Sequence, residues 1–289
     1  MRNSNVRCLI AMMFVSVLLS ACKGGGGKEA SNDIRFDSLK VEKTYHLLGD
    51  TANPACDFRL SFIYPTHAAS STLLRQIQDE FVLCHFGENY QGLTPDSAVA
   101  RYTNDYLVAY RNLEKDYKKD LEKQAENNDD DDVSVGAWYN YYEYSQDRIA
   151  YNKNGLLSFV VYFESYTGGA HGSHSFNNHV ISLSTGKMLT EDDIFIEGYQ
   201  DKLAKIITDR LAVDNKVANP QDLENIGFFA VDEIVPNGNF LIDAKGITYT
   251  YNEYEIAAYV VGPIHVHLTF DDVLPLLKPD TEVRKLIKS

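Results

Sequence analysis

One stretch, from Ser158 to Phe195, constrains the fold more than any other part of the 289-residue chain. Bulky residues alternate along its first part, which predicts a half-buried strand, and a second alternating segment follows the glycine-rich turn at 168–172. Thr190 and Asp193 then match the capping box that starts a helix. Strands joined by a turn, with a helix set aside, predict the α+β class.

The flanking patterns extend this architecture. Apolar residues recur at helical spacing from Leu73 to Cys84, and a second helix capped by Thr94 carries one stripe: Val99, Tyr102, Tyr106, Ala109, Leu113 and Tyr117. From Val133 the period changes to two, which places Trp138 on one strand face with Tyr142 and Tyr144. We therefore expect antiparallel sheets with helices packed to one side, in two intimately packed halves at residues 36–182 and 183–289.

Residues 1–21 have the features of a signal peptide. Arg2 and Arg7 precede an apolar run that is too short to span a membrane, and the segment ends in Leu19-Ser20-Ala21-Cys22. These four residues match the bacterial lipobox, in which the cysteine is diacylated and becomes the new N-terminus. The alternative is a plain signal peptide with an incidental cysteine.

Residues 22–35 are predicted to form the lipidated cysteine and a flexible tether, because four glycines follow Lys23. The protein is then expected in the cell envelope, held to a bacterial membrane by lipid rather than by a spanning helix. In a Gram-negative cell this means the outer membrane or a periplasm-facing position.

The composition restricts the partners. The net charge of -14 argues against nucleic acid, whose phosphates are neutralised by Lys and Arg. It favours metal cations or a basic partner. The 19 tyrosines suit half-buried sheets and recognition surfaces, since a tyrosine ring can pack while its hydroxyl stays in water.

Two cysteines remain outside the predicted leader and lipid site, Cys56 and Cys84. In an oxidising envelope they could form a disulfide, which would stabilise the fold by about 3.6 kcal/mol in the chain-entropy model. Two separate buried thiols are the alternative. Neither residue has a catalytic sequence context.

Motifs for catalysis and cofactor binding are not found in the sequence, so no cofactor is expected. A metal site remains an alternative, because His265 and His267 are two residues apart on a predicted strand and so share a face. The wider histidine cluster consists of His171, His174, His179, His265 and His267. The run from Asp129 to Asp132 lacks the spacing of a calcium loop and is interpreted as a solvated loop.

The turn at Gly168, Gly169, His171 and Gly172 has two interpretations. Its glycines allow a close backbone crossing that His171 would hold through its ring nitrogens. Alternatively, the turn contacts a ligand directly, with Tyr166 and Tyr254 beside it supplying contact area.

The residues of this turn, the Ser184–Lys187 turn, Asp192–Phe195 and the late Tyr254–Tyr259 segment resemble a known pair of extracytoplasmic domains. These are the domains of unknown function 4163 and 3298, which occur together in the lysozyme-sensing anti-sigma factor RsiV and in the peptidoglycan deacetylase PdaC. The resemblance covers about residues 36–278. The sequence lacks a sigma-binding part, a membrane span and the metal ligands of the deacetylase domain.

The resemblance implies binding of a lysozyme or a cell-wall ligand such as a peptidoglycan fragment. Together with the lipobox at Cys22, we expect a non-enzymatic, lipid-anchored envelope protein, and the negative charge favours a basic lysozyme as its partner. Two alternatives remain: a histidine-site metallohydrolase acting on wall polymer, and an accessory subunit of an envelope complex.

Overall fold

The computed structural model describes residues 30–127 and 135–287, and its largest element is a six-stranded sheet. The strands are β1 (Arg35–His46), β2 (Ala55–His67), β3 (Tyr141–Lys153), β4 (Leu156–Tyr166), β5 (Ser173–Ser182) and β6 (Lys187–Met188). They lie in chain order, and each neighbouring pair is antiparallel except β2 and β3, which are parallel. A parallel pair needs a long crossover, and the chain between these two strands supplies one.

Three helices lie in this crossover: α1 (Ser71–Phe86), α2 (Pro95–Arg111) and α3 (Glu114–Asn127). The Ser70 side chain caps α1, which ends at Gly87 with φ +84°. The Thr94 hydroxyl accepts a hydrogen bond from the N–H of Ser97 at the start of α2. The predicted cap of α2 at Thr94 is therefore confirmed.

The first hydrophobic core lies between the sheet and α1 and α2. Phe58 of β2, Phe159 of β4 and Phe81 of α1 are fully buried there. The Phe81 and Phe159 rings stack with centroids 4.0 Å apart. Removing a buried aromatic ring of this kind costs about 3–5 kcal/mol, so this contact fixes α1 on the sheet.

Two details of the predicted pattern are wrong. The apolar stripe is broken between α2 and α3, and Tyr110 is buried while Ala109 is exposed. Steps of three and four residues both return to the same helix face, so spacing alone did not separate the two positions. Trp138 lies in a short 3₁₀ helix, Val135–Tyr139, ahead of β3, and so shares no strand with Tyr142.

The second half contains a three-stranded antiparallel sheet of β7 (Phe240–Ile242), β8 (Gly246–Tyr251) and β9 (Ile264–Thr269). Its helices are α4 (Glu191–Ile194), α5 (Gln200–Asp214), α6 (Phe270–Val273) and α7 (Glu282–Ile287). Tyr249 and Tyr251 of β8 are almost fully buried in a core that α5 covers with Leu203 and Ile207.

The two halves share this second core. Leu156 of β4 and Val180 of β5 belong to it, although both lie on the large sheet. The Ser158 hydroxyl donates to the carbonyl oxygen of Ile242 at 2.6 Å. The structure thus confirms an α+β fold in two packed parts, with one parallel strand pair inside the larger sheet.

The last part of the predicted tether, residues 30–35, is not a free linker. The N–H of Ala30 donates to the Asn154 side chain at 2.9 Å, and Ser31 forms a β-bridge with Lys153. Ile34 is buried in the first core, and β1 begins at Arg35. The segment packs on the β3–β4 hairpin, whose two-residue turn is formed by Asn154 at φ 55° and Gly155 at φ 81°. Asn and Gly are the residues that this kind of turn prefers.

Within residues 30–127 and 135–287, no helix combines the length and hydropathy that a membrane span requires.

Candidate binding site

The glycine-rich turn connects β4 to β5. Gly168 and Gly169 have φ values of +85° and +116°, which side-chain-bearing residues rarely adopt. A Cβ on Gly168 would lie 2.7 Å from the Trp138 carbonyl oxygen, and one on Gly172 would lie 2.6 Å from the Tyr142 hydroxyl. The turn therefore crosses other segments too closely for larger residues.

His171 joins this turn to the second half. Its Nδ1–H donates to the Gly172 carbonyl oxygen at 2.8 Å. A neutral imidazole has one donor and one acceptor nitrogen, so Nε2 accepts from the Tyr254 hydroxyl at 3.3 Å. The His171 ring stacks on Tyr259 with centroids 3.9 Å apart. Tyr166 holds the other side of the turn, because its hydroxyl donates to the Gly169 carbonyl oxygen at 2.8 Å.

Beside the turn lies the face of the large sheet opposite α1 and α2. Side chains at alternate positions share this face, and the strand register aligns them in rows. One row contains Arg59, Tyr144, Glu164 and His174, and the next contains Ser61, Gln146, Tyr162 and Phe176. We call the five rings on this surface the aromatic face: Tyr142, Tyr144, Tyr162, Tyr166 and Phe176.

The aromatic face is held together by ring contacts and charge. Tyr142 stacks on Tyr144 with centroids 4.9 Å apart. The Arg59 guanidinium lies 4.8 Å from the centre of the Tyr144 ring and also pairs with Asp57 at 2.7 Å. These contacts order partly exposed rings before any ligand arrives, which lowers the entropy cost of binding.

The loop that carries Tyr254 and Tyr259 is fixed by an unusual edge contact. The outer edge of β5 beside the aromatic face is capped by side chains of the second half. Backbone N–H groups at alternate positions donate to side-chain oxygens: His174 to Glu253 at 3.1 Å, Phe176 to Asn252 at 2.7 Å and Asn178 to Asn239 at 2.7 Å. These side chains replace a neighbouring strand and satisfy an edge that would otherwise be open.

Three phenols of this surface, those of Tyr142, Tyr144 and Tyr162, have raised pKa values. Burial, followed by the hydrogen bond to Glu164, raises the pKa of Tyr162 to about 12. Burial is also the main cause that raises the pKa values of Tyr142 and Tyr144. These hydroxyls therefore stay protonated at neutral pH, and those of Tyr144 and Tyr162 donate to Asp57 and Glu164.

Comparison with known proteins identifies this architecture. The family model described as a protein of unknown function, DUF3298, matches residues 192–271, and the model described as deacetylase PdaC matches residues 58–174. A DUF3298-family crystal structure from Bacteroides fragilis NCTC 9343 is 31% identical, with a TM-score of 0.83. That match covers 90% of this chain and 100% of the other. The chain belongs to the DUF3298 family.

A second DUF3298 structure, from Pseudomonas aeruginosa PAO1, shows the shared fold alone. It is 14% identical, has a TM-score of 0.55, and the match covers 87% of this chain and 97% of the other. No curated protein matches the chain. The predicted resemblance to the paired domains is confirmed by the adjacent PdaC and DUF3298 matches.

The predicted histidine cluster does not assemble in this DUF3298 chain. Among the described residues, no group of three or more His, Cys, Asp or Glu side chains is placed to hold a metal ion. His174 lies between two carboxylates, with Nδ1 donating to Glu253 at 2.9 Å. His265 and His267 each contact a threonine hydroxyl of β8, at 2.9 and 3.0 Å. His265 and His267 therefore share a face of β9, but no third metal-ligating side chain joins them among the described residues.

Cys56 and Cys84 are free thiols, so the disulfide alternative is not formed. Cys56 is buried in a small cluster with Leu47 and Tyr110, whereas Cys84 lies on α1 and packs against the first hydrophobic core. Burial raises the pKa of both thiols, so neither is an activated nucleophile. Cys22 and the run from Asp129 to Asp132 lie outside the described residues.

Sequence reasoning missed a buried polar triad beneath the sheet. His85 of α1 lies with Nδ1 2.6 Å from Asp147 Oδ1 and Nε2 3.2 Å from the Ser145 hydroxyl. Both side chains of the His85–Asp147 pair are fully inaccessible to solvent. Without access for a substrate, the triad fastens α1 to β3. The signal for it was two polar residues at alternate, inward positions of β3.

Proposed function

We propose that this DUF3298 protein is a lipid-anchored, non-enzymatic binding protein of the bacterial envelope, and that its aromatic face with the Tyr254–Tyr259 loop binds a basic lysozyme. The observation that carries this proposal is the backbone of Tyr254. This residue has a φ of 66° and is 57% exposed. A positive φ is strained for a bulky residue, and strain of this kind is enriched at binding and active sites.

The electrostatics support a basic partner. Loss of Arg2 and Arg7 with the predicted leader would reduce the 27 basic residues to 25, against 41 acidic ones. Glu164 and Glu253 lie beside the aromatic face. Opposite fields speed the encounter of two proteins, while exposed tyrosines supply contact area at low entropy cost.

The direct test is calorimetric titration of the folded chain with hen lysozyme at 50 and 300 mM salt. We expect binding that weakens as salt rises, because screening shortens the reach of exposed charges. We also expect slower lysis of wall substrate when the protein is in excess. No heat at 50 mM salt together with an unchanged lysis rate would falsify the lysozyme proposal.

Tyr254→Gly separates binding from folding. Glycine relieves the positive φ but removes the surface contacts of the Tyr254 ring with His171 and Tyr259, so the two effects on stability oppose each other and the net change should stay within about 1 kcal/mol. Lysozyme affinity should fall on the order of tenfold or more, as for an interface hot spot. Leu48→Gly is the matched control, since Leu48 has a φ of 59° and is 37% exposed, but its backbone N–H donates to Glu114 of α3. It should relieve the same strain and leave lysozyme affinity unchanged.

The proposed anchor has a separate test. Cys22→Ser should leave an unprocessed precursor and abolish metabolic labelling with fatty acid. Unchanged labelling would remove the lipid anchor from the proposal and leave the lysozyme site unaffected.

A further inference from the structure

A pocket of about 480 Å³ opens on the large sheet next to the aromatic face. Its volume lies within the range of small-ligand sites. It is lined by Gln146, Asp147, Arg148, Val160, Tyr162 and Phe176. Apart from Asp147, whose carboxylate is bound to His85, these residues follow the open face of β3, β4 and β5 in register. The pocket is therefore built on rigid, paired strands.

Arg148 gives this pocket an unbalanced positive charge. Its side chain is exposed, and within the described part of the chain it makes no ion pair or hydrogen bond, whereas Arg59 and Arg210 are each paired with an aspartate. The acidic residue next to it in sequence, Asp147, directs its carboxylate to His85 on the other side of the sheet at 2.6 Å. The guanidinium is thus free to bind an anionic group.

The rest of the lining is aromatic and amide. Tyr162 and Phe176 have ring centroids 4.9 Å apart, and the Tyr162 hydroxyl already donates to Glu164 at 3.0 Å. Their rings are therefore left to make apolar contacts. The Gln146 amide is exposed and has no hydrogen-bond partner among the described residues, so it can both donate to and accept from a ligand.

We propose that this pocket binds an acidic sugar. Its carboxylate would pair with the planar guanidinium of Arg148, whose fork matches a carboxylate with two parallel hydrogen bonds. The apolar face of the sugar ring would pack on Tyr162 and Phe176, and Gln146 would bind a hydroxyl or an acylamino group. A concave, largely apolar site with a few converging polar groups is the usual form of a small-ligand pocket.

The backbone at the pocket favours a sugar over an extended peptide. Peptides that add to a sheet need a free strand edge. Here β4 is paired on both sides, β3 is paired with β2 as far as Gln146, and the β5 edge at Phe176 is already occupied by the Asn252 side chain. Recognition must therefore use side chains on the face of the sheet, as a compact polyhydroxylated ligand allows.

The test is calorimetric titration of the full folded chain with N-acetylmuramic acid, and with N-acetylglucosamine, which lacks the lactyl carboxylate. We expect the acidic sugar to bind at least about tenfold more tightly, because a charge-assisted contact to Arg148 is present only in that complex. Arg148→Gln should remove the difference between the two sugars. Arg210→Gln makes the same charge change on α5 and should leave the difference in affinity between the two sugars intact.

Equal affinity of the two sugars, no binding of either, or an unchanged preference in Arg148→Gln would overturn the proposal. Stronger binding of triglycine, which carries a peptide carboxylate, would also overturn it and assign the pocket to peptides. The pocket does not depend on the lysozyme proposal: Tyr254→Gly should leave muramic acid binding intact, and Arg148→Gln should leave hen lysozyme binding intact.

Discussion

The two faces of β3 show how one strand serves two purposes. Ser145 and Asp147 point toward α1 and are buried, whereas Tyr144 and Gln146 alternate with them in sequence and point to the opposite, open face. On the covered face a polar network is fully enclosed and holds a helix in place. On the open face the rings and charges are only partly satisfied by the protein itself. Polar groups that are paired within the protein stabilise the fold, whereas polar groups without a partner in the protein can bind a ligand.

The same contrast recurs along β5. His179 packs against Phe159 in the first core with ring centroids 5.0 Å apart, while His174 lies on the open side against Glu253. Substitutions on the two faces should therefore differ in their effect on stability.

The largest expected effect is from Asp147→Ala. It leaves His85 buried without its partner, and breaking a buried pair in this way costs about 3–5 kcal/mol in the free energy of unfolding. Gln146→Ala, one residue away on the open face, should change it by less than about 0.5 kcal/mol. Urea denaturation measures both. A loss below about 1 kcal/mol for Asp147→Ala, as for an ordinary surface change, would mean that the two faces are energetically equivalent.

The next effect is a dependence of stability on pH. Burial lowers the pKa of His179 to about 4, so the unfolded chain takes up this proton first as the pH falls below about 6.5. Stability from this group is complete above that pH and is lost as the pH falls toward 4, by about 3 kcal/mol in total.

His179→Phe should remove this component, since phenylalanine keeps the ring contact and cannot be protonated. The free energy of unfolding should be measured from pH 7 to 4 for wild type and variant. His171→Phe, at an exposed histidine of the turn, is the control and should retain the wild-type acid sensitivity. Parallel curves for wild type and His179→Phe would contradict the assignment.

A smaller effect is expected at the edge of the open face. Gly168→Ala imposes a positive φ on alanine and places its Cβ 2.7 Å from the Trp138 carbonyl oxygen. We expect a loss of about 1–3 kcal/mol from this strain. Gly198→Ala has a similar φ of +72° with open space around it and should lose less. Thermal denaturation of the two variants therefore separates crowding from backbone strain. Equal losses would show that the close crossing is unimportant.

The smallest effect is expected from His171→Ala. The ring stack on Tyr259 and the hydrogen bond from Tyr254 are lost, but both contacts lie at the surface. An aromatic contact of this kind contributes about 0.5–1.5 kcal/mol, which is the loss we expect. Thermal denaturation and lysozyme titration of this variant should be read together. Full stability with lost lysozyme binding would make His171 a ligand contact rather than a structural one.

Local sequence patterns predicted much of this architecture. Alternation defined β4 and β5, Asn154-Gly155 defined the hairpin between β3 and β4, and Thr94 and Thr190 marked the starts of two helices. These signals work because a strand or cap depends on residues only a few positions apart. Local glycine content also marked the turn at Gly168, whereas Tyr254 was singled out through the resemblance to the paired domains, and the role of both in ligand binding stays a prediction.

The tertiary structure decided what lies between distant segments. The His85–Asp147 pair joins residues 62 positions apart, and the β5 edge is capped by side chains more than 60 positions away. Likewise, the alternation of β3 gives two faces, but only the path of α1 and α2 determines which one is covered. Periodicity specifies that a strand has an inner and an outer face, while long-range packing selects between them. That selection left the aromatic face and Arg148 open.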